Sequence, residues 1–204
     1  RSTLSSSSAA SDVYKRQLLG GGDYPSNTNI TNKIEFVTIA TTGNAQDFGD
    51  LSQTRDSAAA GSNSTRGIFG GGRYPSAGNY SIVDRVDYSN DTPTMSVRGN
   101  LSQDTKGHGA TGNKEYGYLG RGRSPSVLGI STEKRVDYSN DTSAPLISGK
   151  SISFSYGSAA GNQDYGWIGG VGHPLPSGGS RVERLDYSND TNNTVTRGPL
   201  SSVR

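Results

Sequence analysis

The sequence predicts an all-β fold built from four tandem units of about 50 residues, and three observations predict it. GGGDYPS (20–26), GGGRYPS (70–76), GRGRSPS (120–126) and GGVGHPLPS (169–177) recur at spacings of 50, 50 and 49 residues. RVDYSND stands at 85–91 and 135–141, and RLDYSND at 184–190, each opening on an alternation of charged and apolar side chains. No helical apolar period persists, and glycine interrupts the chain every few residues, so no helix is expected. A unit of this size is too small to bury a core alone. Stability is therefore expected from packing between successive units.

Four strands are expected per unit. The first is a small-residue segment, SAAAGSN (57–63), GHGATGN (107–113) and GSAAGN (157–162), which suits a place where backbones approach closely. The second is RGIFGGG (66–72), YGYLGRG (116–122) and YGWIGGV (165–171), an aromatic or β-branched strand running into glycines that favour a turn. In the third, Arg85 and Asp87 share one face while Val86 and Tyr88 share the other. Arg135/Asp137 and Val136/Tyr138 repeat the pattern, as do Arg184/Asp186 and Leu185/Tyr187. Phe36, Val37, Thr38 and Ile39 stand at these positions in the first unit, which has lost both charges. The SNDT that follows is turn chemistry leading into a weaker fourth strand such as TMSVRGNL (94–101).

A small-residue strand, an aromatic strand ending in a Gly doublet, a variable loop and a strand ending in Asp-Tyr resemble the order of a kelch repeat across residues 18–204. The fourth strand departs from that pattern: the expected Trp is missing, and Met95 or Leu146 stands nearby. GNAQDFGDLSQTR (43–55) and STRGIFGGG (64–72) are also similar to kelch-like repeat proteins of marine phages and environmental metagenomes. The resemblance implies a kelch-like β-propeller of four four-stranded antiparallel blades, as a partial ring or a tight four-blade closure. The blades fall at about 18–55, 56–105, 106–154 and 155–204. In a longer chain, further propeller blades would be the immediate partners. SAASDVYKRQ (8–17) resembles a translated sequencing-adapter peptide, so residues 1–17 are read as non-native, although SSSSAASD (5–12) falls where the first small-residue strand belongs.

Composition narrows function by exclusion. Twenty basic and eighteen acidic residues are spread along the chain, giving a net charge of +2 and no basic block for nucleic acid. No apolar run is long enough for a membrane-spanning helix. Zero cysteines exclude disulfides, thiol catalysis and Cys-ligated metal. They also exclude the Tyr–Cys copper site that a resemblance to galactose oxidase would imply. His108 and His173 are the only histidines and occupy non-equivalent points of their repeats. Arg85, Arg135 and Arg184 recur once per unit, which suits structure where a sialidase-type arginine cluster would appear once. They are expected to form cross-strand or between-blade ion pairs with Asp87, Asp137 and Asp186.

Other motifs resolve as turns. Asp87/Ser89/Asp91, Asp137/Ser139/Asp141 and Asp186/Ser188/Asp190 have the spacing that opens a calcium loop but lack the following Gly and distal Glu of an EF-hand. GGGRYPS fits no phosphate-binding loop, and Asn90-Asp91-Thr92 is an incidental glycosylation sequon. No enzyme activity, metal or cofactor is expected. Binding is expected on the loops between second and third strands, 23–32, 73–82, 123–131 and 172–181, which vary most between copies. Tyr24, Arg73, Tyr74, Tyr80, Arg123 and His173 are the candidates there, since Tyr and Arg among small polar residues suit a protein or glycan surface. The expected function is a non-enzymatic recognition or structural module, extracellular or virion-associated. The alternative is the non-catalytic propeller portion of a larger secreted carbohydrate-active or oxidase-type enzyme.

Overall fold

The alternating segments all become strands. In the computed structural model, which describes residues 16–23, 29–89, 94–107, 109–120, 122–126, 133–140, 146–148, 157–171, 179–190 and 192–201, the one helical element is a 3-10 turn at Tyr187–Asn189. No helix among these residues is long and apolar enough to cross a membrane. The strands are β1 (Arg16–Gly20), β2 (Lys33–Thr38) and β3 (Gln46–Asp50) in the first unit. The second holds β4 (Ala59–Ser62), β5 (Arg66–Gly70), the short β6 (Arg73–Tyr74) and β7 (Gly78–Asn79), β8 (Ile82–Asp87) and β9 (Ser96–Asn100). The third has β10 (Gly109–Gly112), β11 (Tyr116–Gly120), β12 (Glu133–Asp137) and β13 (Leu146–Ser148). The fourth has β14 (Ser158–Gly161), β15 (Tyr165–Val171), β16 (Gly179–Asp186) and β17 (Val195–Pro199).

These strands form antiparallel sheets, β1-β2-β3, β4-β5-β8-β9, β10-β11-β12-β13 and β14-β15-β16-β17, with β6-β7 as a separate hairpin. The order along each sheet is the order along the chain. The small-residue strand expected at SSSSAASD lies outside the described residues, whereas Arg16 and Gln17 pair with Thr38 and Val37 in β1–β2.

Register repeats from unit to unit. Arg16↔Thr38, Arg66↔Asp87, Tyr116↔Asp137 and Tyr165↔Asp186 are equivalent pairs, and the next four pairs along each ladder keep step. Three third–fourth strand ladders slip by a bulge, at Ile34/Glu35, Ile82/Asp84 and Arg181/Glu183. Opposite these slips stand Gly49, Gly99 and Gly198, all at positive φ, where only glycine avoids a Cβ clash with its own backbone.

Successive sheets bury their cores against one another. Ile34, Phe48 and Leu51 of the first unit pack with Phe69, Val86 and Met95 of the second. Ala59, Ile68, Val83 and Leu101 pack with Leu119, Val136 and Tyr138 of the third. Tyr118 packs with Leu185 and Tyr187 of the fourth, stacking on the Tyr187 ring at 4.9 Å. Strand alternation thus gives each sheet a leading face toward the preceding unit, carrying Phe69, Val86 and Tyr88 or their equivalents, and a trailing face toward the next, carrying Ile68, Val83 and Arg85 or theirs.

The connectors between units carry buried charge. Arg55 and Asp84 are fully buried and paired at 2.9 Å, with the Ser52 amide donating to the same carboxylate at 3.0 Å. Burial lowers the Arg55 guanidinium from its ordinary pKa, opposed by Asp84. Between the second and third units the equivalent positions hold Thr105 and Lys134, both buried. Burial pushes the Lys134 ammonium down to about 8, against the pull of Asp104.

Candidate functional site

Three turns between first and second strands have one construction. Asn63 Oδ1 accepts from the amides of Thr65 and Arg66, both at 2.9 Å. Asn113 Oδ1 accepts from Glu115 (2.8 Å) and Tyr116 (2.9 Å), and Asn162 Oδ1 from Asp164 (2.9 Å) and Tyr165 (2.8 Å). Each Asn amide also donates to the carbonyl three residues on, so the side chain and backbone close the turn together. Asn63 Nδ2 donates to the Lys114 carbonyl at 2.9 Å, tying one turn to the next.

These turns rim a cleft of about 510 Å³, lined also by Gln17 and Leu18 of β1 and by the first strands of the other three units. The residue after each Asn differs, Ser64, Lys114 and Gln163, and all three line the cleft. Lys114 and Gln163 also line an open groove of about 680 Å³ between the third and fourth units, with Glu115, Tyr116, Asp164 and Tyr165. The two tyrosines are backed by cations: Arg135 lies 4.3 Å from the Tyr116 ring centre, and Arg184 lies 4.1 Å from that of Tyr165. In the second unit Arg66 takes the tyrosine position and pairs with Asp87 at 3.3 Å, while donating to the Tyr138 carbonyl of the next sheet. The first unit reverses the pair, with Arg16 over Phe36 at 5.3 Å.

The repeated Arg and Asp residues do different work in different units. Arg85 pairs with Asp87 on its own strand face at 2.8 Å. Arg135 reaches past Asp137 to Asp190 of the fourth unit at 2.6 Å, and Tyr118 donates to the same carboxylate at 2.9 Å. Arg184 is held by its stack on Tyr165. Asp137 accepts the Ser139 hydroxyl at 2.7 Å and amide at 2.8 Å, and the hydroxyl bond leads in holding this carboxyl below its ordinary pKa. Asp186 caps Ser188 in the same way, at 2.6 and 3.0 Å. Oxygens that would open a calcium loop in the fourth unit therefore close a turn and an inter-sheet ion pair. Among the described residues, no group of three or more His, Asp or Glu side chains is placed to hold a metal ion.

The loop residues singled out from sequence lie at the other end of the strands. Arg73 bonds Asp56 through Nε at 3.0 and 3.2 Å, and its backbone bridges Asp56. Tyr74 pairs with Gly78 in the β6–β7 hairpin, and the Tyr80 amide donates to the Gly72 carbonyl while its own carbonyl accepts from the Thr105 amide. Arg123 bridges Lys106, and its carbonyl accepts from Asn79 Nδ2 at 3.2 Å, which brings the second and third loops side by side. Tyr24, His173, His108, Asp91 and Asp141 lie outside the described residues. Neither the cleft nor the groove is lined by Arg73, Tyr74, Tyr80 or Arg123. The asparagine turns were missed in the sequence reading, although Asn recurs at 63, 113 and 162 with the period of the repeat.

No protein-family model matches this chain, and no curated protein matches it.

Proposed function

We propose that this chain is a non-enzymatic recognition module, a kelch-like β-propeller or an arc of one, working at a virion or cell surface. It binds a protein or a glycan through the segments that join its strands. One observation carries the reading: three identically built asparagine turns hold three unlike residues, Ser64, Lys114 and Gln163, around one cleft. A rigid turn keeps the entropy cost of presenting each side chain low, and unlike side chains on like turns are how a repeat scaffold acquires specificity. The groove adds two Arg-backed tyrosines, with amphipathic rings suited to a sugar face or an apolar side chain, beside the acceptors Glu115 and Asp164.

The test is a glycan array and a surface-protein display screened with the wild-type chain, then with two alanine sets. Replacing Lys114, Gln163 and Tyr165 is expected to weaken any captured ligand at least tenfold, whereas replacing Arg73, Tyr74, Tyr80 and Arg123 leaves it unchanged. The opposite result would move recognition to the loop end.

A further inference from the structure

The outer faces of the first and fourth sheets differ from the faces buried between units, and the internal repeats show what belongs there. Leu19, Phe69, Leu119 and Ile168 are equivalent by register, pairing with Glu35, Asp84, Lys134 and Glu183. Phe69, Leu119 and Ile168 are 5%, 1% and 3% exposed, whereas Leu19 is 51% exposed. At the end of the third strand, Tyr138 and Tyr187 are buried against the preceding unit, yet Ile39 at the same position is 65% exposed. Val37, in the place of the buried Val86, Val136 and Leu185, is only half-buried. The leading face of the first sheet is thus an apolar surface of the kind that every later unit covers.

The trailing face of the fourth sheet is its counterpart. Ile68 and Tyr118 are buried by the unit that follows, and Trp167 at their position is only half-buried. Val182 and Leu200 are half-buried where Ile34 and Val83, and Leu51 and Leu101, are buried. Arg135 finds Asp190 on the following unit. Arg184, its equivalent, stacks on Tyr165 with no such carboxylate beside it among the described residues, while Glu35 stands exposed on the leading face. Each face therefore carries apolar side chains, with Arg184 on one and Glu35 on the other.

We propose that these faces meet between molecules: the trailing face of one copy's fourth sheet covers the leading face of a second copy's first sheet. The contact continues, between chains, an interface that the chain already forms three times within itself. Because the two patches differ, the association is head-to-tail and closes as a ring or extends as a filament.

Sedimentation velocity and light scattering on the full chain, over a range of concentrations, test this. The wild type is expected to associate with rising concentration, and Leu19→Lys or Trp167→Ser is expected to weaken association at least tenfold, with unchanged circular dichroism and melting. Each variant keeps one intact face, so an equimolar mixture of the two is expected to form a 1:1 heterodimer that grows no further. A wild type that stays monomeric at its highest soluble concentration overturns the proposal, as it would if the fourth sheet closed on its own first sheet or a different partner covered these faces. A mixture that remains monomeric, or variants that associate like wild type, overturns it equally.

Discussion

Tyr138 and Tyr187 occupy the same place in successive units and have different fates because of one residue in the preceding first strand. The Tyr187 hydroxyl shares a 2.6 Å hydrogen bond with Thr111. Gly61 stands at the equivalent point before Tyr138, whose buried hydroxyl has no partner among the described residues. Burial raises both phenols above their ordinary pKa. A Cβ built on Gly61 would lie 3.4 Å from the Tyr138 hydroxyl and 3.8 Å from its other neighbours, which is ordinary contact. Gly61→Ser is therefore expected to stabilise the chain by about 1 kcal/mol, from a new hydrogen bond and lower unfolded-state entropy. Urea denaturation of the single variant and of its combination with Tyr138→Phe would check this. A gain undiminished by loss of the hydroxyl would rule out the hydrogen bond as a source.

At the scale of the strand, the alternation in RVDY and RLDY foretells which side chains share a face, because successive Cβ atoms point to opposite sides of a pleated sheet. The small-residue strands and the absence of helix were legible for similar local reasons. Bulges were not, since a register slip depends on two strands at once. Gly198 shows what such a slip demands: its φ is +109°, and a Cβ there would meet nothing within 4 Å. Gly198→Ala should thus cost roughly 1–2 kcal/mol from backbone strain alone, read as a shifted denaturation midpoint at unchanged slope. No loss would mean that the bulge relaxes.

Across the whole molecule, the interfaces between units are alike in apolar packing and unlike in charge. The first is tied by the buried Arg55–Asp84 pair, and the second buries Lys134, whose desolvation Asp104 offsets in part. A lysine whose folded pKa is depressed to about 8, below its ordinary 10.5, is a charge the fold resists. Below pH 8 both states are protonated and the full penalty applies. Between pH 8 and 10.5 the unfolded chain binds more protons, so this contribution to stability rises with pH. Lys134→Met should then be more stable than wild type at pH 7, on the order of 1–3 kcal/mol, and that advantage should shrink toward pH 10. Melting curves of both proteins across this range decide it, and a pH-independent difference would count against a buried ammonium.

The sequence by itself carried the unit length, the all-β class, the strand order and the faces of each strand, because these follow from period, alternation and glycine placement along one stretch of chain. It also carried the candidate loops, but not their contacts: Arg73 turned to Asp56, and Arg135 to Asp190 of the next unit instead of Asp137 of its own. Only the tertiary structure decided that a repeated Asn rims a shared cleft, that one repeated Arg pairs while another stacks, and that Leu19 and Ile39 lie open. Those outcomes depend on which residue the adjacent unit presents, and no local pattern records what stands across an interface.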